Sequence, residues 1–337
     1  MTLHLFTKNG LPCDVPENEQ EDETPKFVLP ENSVEAKNFY LENGFVIIKK
    51  IINESDCDKL RNSWENEVKP FKGYIYRQTN GKLEKNIFNA QKWVMNPILN
   101  IQSLNSKYFY NLRLNFEKII ASNFLLANFI KIVIGEKPLI VQSMYFEGNS
   151  ATWEHQDSYY LDDEETGKMI AGWIALEDIQ ADAGRFFVCP KSHLYDYASM
   201  NLDNIITKNH SKYINSVVEI IKANNFTVNA PKLNKGDILL WNALTIHGSL
   251  DSQSQSNSRS SITFHAIKSS SRFQVLRNIF RKLKFDKTFS FNIYRPKNLN
   301  LKRFKFIFFL ESNVPRIFYS VKNLAIELKV KINSNKL

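Results

Sequence analysis

Apolar positions change their spacing partway along the chain. The first part, to about residue 134, reads as mainly helical, with apolar residues in 111–134 recurring as on one face of a helix. Asn32 stands where a helix N-cap belongs, with Glu35 three residues on, and Gly44 where that helix would stop. Residues 45–52 then read as a strand, 55–68 as a second helix, and 111–134 as one or two more. Beyond Pro138 the texture turns to short β-rich runs bounded by turn residues, at 138–148, 169–179, 185–190, 237–249 and 259–268. Strands after a helical start predict an α+β, mainly β fold, with a β-sandwich flanked by helices. Residues 195–231 form an insert of mixed helix and loop, the kind of segment that carries substrate contacts. No internal repeat is visible.

With 337 residues, 43% of them hydrophobic, the chain can bury a sizeable core. The three cysteines, Cys13, Cys57 and Cys189, fit neither a disulfide framework nor a zinc site, which points to a reducing, cytoplasmic setting. No signal-like segment opens the chain, and no run of roughly 18 apolar residues predicts a membrane span. Residues 1–30, rich in acids and proline, read as a mobile or loosely packed lead-in. The net charge of +9 is unevenly spread. Residues 271–337 hold 16 Lys and Arg against Asp286, Glu311 and Glu327, while the rest carries 28 basic and 32 acidic residues. The basicity belongs to the tail.

Candidate chemistry centres on two of the six histidines. His155 and Asp157 stand at i and i+2, which on a strand puts both on one face about 7 Å apart. His247 ends a run in which Trp241, Ala243, Thr245, His247 and Ser249 share a face. Two imidazoles and a carboxylate leave three of six coordination positions open, which suits Fe(II) that must take a bidentate co-substrate together with O2. A His-x-Asp tripeptide alone is weak evidence, because it arises often by chance. Arg259, 12 residues after His247, strengthens the reading, since its guanidinium can grip a carboxylate in bidentate fashion. Ser261 and Thr263 fall on its predicted strand face. His193 reads as a structural turn histidine and His265 as a core or supporting residue, while His4 and His210 carry no signal.

The segments "NFYLENGFVIIKKIINESDCDKL", "WEHQDSYY", "GWIALEDIQADAGRFFVCPKSH", "KGDILLWNALTIHGS" and "RSSITFHA" occur in this order between Asn32 and Lys268. Taken jointly, the chain resembles the phytanoyl-CoA dioxygenase family of Fe(II)/2-oxoglutarate oxygenases. The resemblance implies a double-stranded β-helix (jelly-roll) core with helices packed on one sheet. It implies His155, Asp157 and His247 as iron ligands and Arg259 as the anchor for 2-oxoglutarate. Trp173, Ser249 and Met144 match co-substrate pocket positions, and Gln142, Ser261 and Lys92 are further candidates. Asp182-Ala183-Gly184-Arg185 and Pro190-Lys191-Ser192-His193 depart from the family's usual turn strings. That places substrate contacts in question rather than the metal site. Halogenating relatives lack the carboxylate ligand, so Asp157 implies hydroxylation or a related oxidation, with release of succinate and CO2. Trp153, Tyr159, Tyr160 and Trp173 are candidates for a dry wall.

The expected organisation is therefore a lead-in (1–30), an oxygenase domain (31–270) and a basic, aromatic-rich extension (271–337). Lys and Arg interleaved with Phe, Ile and Leu in the extension suit contact with an anionic membrane, at the inner face of a membrane for a cytoplasmic protein. Nucleic acid is a weaker match, and plain packing against the body is the bland alternative. The expected substrate is a small or lipid-linked molecule. A catalytically silent scaffold protein and a protein or nucleic-acid hydroxylase are the rival functions. A chain ended near Lys268 is expected to keep the metal site.

Overall fold

The computed structural model describes residues 2–334 apart from 149, 197–205 and 278. The helical first part holds α1 (Ser33–Asn43), α2 (Glu54–Ser63), α3 (Tyr110–Asn115) and α4 (Phe124–Ile134). Gly44 ends α1 in the left-handed region at φ +80°, its N–H donating to the Tyr40 carbonyl. Asn32 does not cap α1 with its side chain, which accepts the Val28 N–H instead. At α4 a cap does form, with Asn123 accepting the Leu126 N–H at 2.9 Å. The predicted second helix runs on past α2 as a π turn, Trp64–Val68.

Two sheets face each other behind these helices. The larger orders its strands Asn292–Ile293, Pro138–Phe146, Ser261–Lys268, Ile170–Ala175, Ile238–Asn242, Phe45–Ile48 and Lys26–Phe27. The smaller joins Phe186–Val188, His247–Ser249 and Thr152–His155. Side-chain alternation divides the large sheet's residues between two cores. Val46, Ile140, Ile174, Leu240, Ile262 and Phe264 meet the helices, including Trp64, Phe116 and Ile130. Phe45, Ala171, Trp173, Leu239 and Trp241 face inward and pack with Phe186 and Val188 of the small sheet. This two-sheet sandwich with helices on one side is the expected jelly-roll arrangement. The run 237–249 is not one strand. The chain turns at Ala243–Ile246 and crosses from the large sheet to the small one, so Trp241 and His247 approach each other from opposite walls.

Two expectations need correction. The lead-in is packed, because Thr2–Phe6 and Pro12–Pro16 form an antiparallel hairpin. Its Cys13 and Val15 are buried with Phe187, Ala230 and Leu250 on the outer face of the small sheet. Period-two apolar spacing at Leu3, Leu5, Leu11, Cys13 and Val15 was the legible signal, outweighed by the acids that follow. Nor does the chain leave the domain at 270. Phe273–Val275 and Ile279–Arg281 form a sheet with Leu161–Asp163, and Asn292–Ile293 adds a parallel edge to the large sheet. The insert contributes α5 (Ile206–Ala223), while its residues 197–205 lie outside those described. Two final helices follow, α6 (Lys302–Asn313) and α7 (Pro315–Ser334).

Candidate metal centre

His155 and His247 are direct cross-strand partners in the small sheet, with ring centroids 4.3 Å apart. Asp157 lies just past the end of His155's strand, as the first residue of a 3-10 turn, so the turn rather than strand pleat brings it to the two rings. Its Oδ1 is 3.7 Å from His155 Nε2 and 3.5 Å from His247 Nε2. The three donor atoms lie within 4.8 Å of one another, a spacing that could hold one metal ion. Gly248, between His247 and Ser249, has a steric reason to be glycine. A Cβ there would stand 2.7 Å from the Thr152 carbonyl and 2.6 Å from the Phe187 ring.

Each imidazole is oriented from behind. His155 Nδ1 sits 2.9 Å from the Trp153 carbonyl and His247 Nδ1 2.8 Å from the Thr245 carbonyl. A carbonyl only accepts, so both Nδ1 atoms carry the proton and both Nε2 atoms are left bare to bind metal. Burial, with His247 close by, pushes the His155 pKa down to about 4, which keeps it neutral at physiological pH. Burial alone would raise Asp157, but the rings of His247 and His265 outweigh it and hold the carboxyl well below its usual range. Two imidazoles turned with Nε2 toward one carboxylate are thus the donor set.

The other carboxylate oxygen, Oδ2, accepts the Trp241 indole N–H at 2.9 Å. His265 Nε2 lies 3.3 Å from the same oxygen, and neither His265 ring nitrogen makes a hydrogen bond. The ligand turn is fixed by Gln156, whose N–H donates to the Tyr213 hydroxyl at 2.8 Å and whose amide donates to the Leu244 carbonyl. Tyr213 of α5 stacks on Tyr159 at 3.6 Å. Behind the strand, buried Glu154 accepts from Thr7 and Asn9 of the N-terminal hairpin. At the mouth, Tyr160 lies edge-on to the His155 ring and its hydroxyl meets His210 Nε2 at 2.8 Å. Tyr213, Glu154 and His210 carried no sequence signal, and Trp241 was visible only as a member of the His247 run, because each meets a partner distant in the chain.

Arg259 is 2% exposed and in the left-handed region at φ +63°, just ahead of the Ser261–Lys268 strand rather than on its face. One Nη donates to the Gly184 carbonyl at 2.7 Å, and the guanidinium stands over the Phe146 and Trp173 rings. Burial pulls its pKa down to about 10 and no charged neighbour offsets that. Arg259 Nε and Ser261 Oγ are both buried without partners. Met144, Thr263 and Trp173 form one cross-strand row, and Gln142, His265 and Ala171 the next, on the inward face of the large sheet. Ser249 follows His247 on the facing wall, its hydroxyl accepting the Thr152 N–H. Lys92 stands apart, exposed in a turn.

A jelly roll that brings two imidazoles and one carboxylate together carries a candidate site for a single metal ion, and the same fold buries an arginine with no charged partner. The sequence profile of phytanoyl-CoA dioxygenase (PhyH) matches residues 40–261. The chain belongs to that family. Peroxisomal phytanoyl-CoA dioxygenase of Bos taurus is 24% identical over 240 residues, 66% of this chain and 65% of that one. The chain thus spans about two thirds of the length of that relative. Phytanoyl-CoA dioxygenase domain-containing protein 1 of Bos taurus is 32% identical over 142 residues, 39% of this chain and 45% of that one. Among solved structures, the non-heme alpha ketoglutarate dependent carbocyclase SnoK is similar with TM-score 0.52 and 17% identity, covering 74% of this chain and 86% of its own. EctD from S. alaskensis with 2-oxoglutarate and 5-hydroxyectoine has TM-score 0.51 and 14% identity, covering 78% and 87%. These likenesses carry the fold.

Proposed function

We propose that the protein is an Fe(II)- and 2-oxoglutarate-dependent dioxygenase that hydroxylates an unactivated C–H bond of a small or lipid-linked molecule. The observation that carries this reading is the pairing of an open His155–Asp157–His247 donor set with a buried guanidinium that has no counter-ion. His155 Nε2, His247 Nε2 and Asp157 Oδ1 would hold the iron. Bound iron supplies the oxidising chemistry, coupling decarboxylation of 2-oxoglutarate by O2 to C–H oxidation, with succinate and CO2 released.

Trp241 ties the remaining carboxylate oxygen, so Asp157 offers a single oxygen to the metal. Arg259 would take the distal carboxylate of 2-oxoglutarate, with the unpartnered Ser261 hydroxyl beside it. Trp173, Met144, Gln142 and Ser249 would wall the co-substrate. Tyr160, Trp153 and His210 would close the exposed side of His155 against water. The three free, buried cysteines fit a reducing, cytoplasmic compartment. Among the described residues no helix is long and apolar enough to cross a membrane. The lipid-linked half of the substrate reading rests on the basic helices α6 and α7.

The rival reading, a silent scaffold, gives no reason to bury a cation that has no counter-ion. Purified protein supplied with Fe(II), 2-oxoglutarate and O2 should release succinate, and His155→Ala and His247→Ala should abolish both iron binding and release. Iron content and turnover unchanged in both variants would overturn the assignment.

A further inference from the structure

We propose that the outward face of α6 and α7 docks the protein on an anionic lipid surface. Both helices are anchored by their inward sides. Glu311 of α6, only 1% exposed, accepts from the Tyr76 and Tyr319 hydroxyls and from Lys297. Phe308 packs edge-on against Tyr76. A helix anchored in this way is ordinarily polar on its far side. These two are not. Phe306, Phe309, Ile317, Val321 and Leu324 are 58% to 69% exposed. Ile317, Val321 and Leu324 follow at i, i+4 and i+7, a single stripe along α7 that points away from Tyr319. Phe306 and Phe309 make a matching pair on α6.

Charge selects the occupant. Lys302, Arg303, Lys305 and Arg316 are exposed on the same two helices, while Glu311, the one acid between residues 302 and 325, is turned inward and neutralised by Lys297. A second copy of the chain would bring two cationic faces together, which costs energy. A nucleic acid would match the cations but leave five large apolar side chains in water. A lipid surface with anionic headgroups satisfies both, with phenyl and aliphatic groups below the headgroups and ammonium and guanidinium groups among them. The proposal rests on the oxygenase reading only in linking this face to a lipid-derived substrate; docking itself is independent of iron.

The test is co-sedimentation of the full chain with phosphatidylcholine vesicles containing about one third phosphatidylglycerol, against phosphatidylcholine alone. The anionic vesicles should pellet the protein and about 0.5 M salt should release it. Lys302→Ser with Lys305→Ser should weaken partitioning about thirtyfold. Phe306→Ser with Phe309→Ser should weaken it at least tenfold, while melting temperature and succinate release stay unchanged. His155→Ala should still sediment, which separates failure of docking from failure of the oxygenase reading. No sedimentation of the intact chain overturns the proposal. So does sedimentation lost with the lysines but indifferent to the phenylalanines, which would mark a general polyanion site. Self-association abolished by Val321→Asp without vesicle binding would assign the face to a second copy.

Discussion

Replacing Arg259 with methionine tests the co-substrate site in a way that separates function from fold. The side chain is 2% exposed, and burial lowers its pKa from the ordinary arginine value to about 10 without any charged partner. At about 1.4 kcal/mol per unit, keeping the guanidinium charged inside the barrel costs about 3 kcal/mol. The hydrogen bond to Gly184 returns about 1.5–3 kcal/mol and the Phe146 and Trp173 rings about 1 kcal/mol, so the resting charge is close to break-even. Methionine has similar bulk and no charge to bury. Arg259→Met should therefore leave the stability of the ligand-free protein within about 1–2 kcal/mol of wild type. Breaking a charge already paired with a protein carboxylate would instead cost about 3–5 kcal/mol. With Fe(II) held in place, 2-oxoglutarate affinity should fall by about thirtyfold to several thousandfold, the loss of a buried charge-assisted pair worth about 2–5 kcal/mol. Urea denaturation of the ligand-free protein and anaerobic calorimetry with 2-oxoglutarate measure the two halves. A variant that loses over 3 kcal/mol of stability yet binds 2-oxoglutarate normally would show that Arg259 is structural.

Trp241→Phe removes the indole donor from Asp157 Oδ2, so Fe(II) affinity should drop about 10- to 100-fold in competition with a chelator, with modest destabilisation. Unchanged affinity would mean that the carboxylate needs no tether. Ligand-free protein should lose stability as pH falls from about 6.5 to 4. His155 titrates near 4 when folded and near 6.5 when unfolded, so the unfolded state binds the extra proton across that window, up to about 3 kcal/mol from this residue. Denaturation midpoints that stay flat between those pH values would refute it. Ending the chain after Lys268 strips buried Phe273, Ile279, Phe291 and Ile293 from the core and should give insoluble protein. Ending it after Leu301 should preserve folding and iron binding. A soluble, metal-binding chain ended at Lys268 would contradict the packing described.

The metal ligands were legible because they sit in short strings, "WEHQDSYY" and "KGDILLWNALTIHGS", where residue type and spacing carry the signal. The helical first part and the β-rich second part were legible for the same local reason, since hydrophobic period reports secondary structure. Arg259 was legible only as a cation at a suggestive distance. Its burial, its left-handed backbone and its lack of a counter-ion arise from the walls around it. Period two along 237–249 says nothing of a chain crossing from one sheet to the other, yet that crossing lets Trp241 reach Asp157 from the opposite wall. Composition misplaced where the packed domain begins and ends. Composition sums over residues, whereas packing is decided by the few that find an apolar partner, such as Cys13 and Val15 against Phe187 or Ile293 beside Ile140. What the local pattern determined was the chemistry of the donor set. The carbonyls of Trp153 and Thr245 that orient the two imidazoles are also local. Tertiary structure alone decided the tethers of Asp157 and Gln156, because Trp241, Tyr213 and Leu244 are distant from them in sequence and are brought near only when two sheets close on one core.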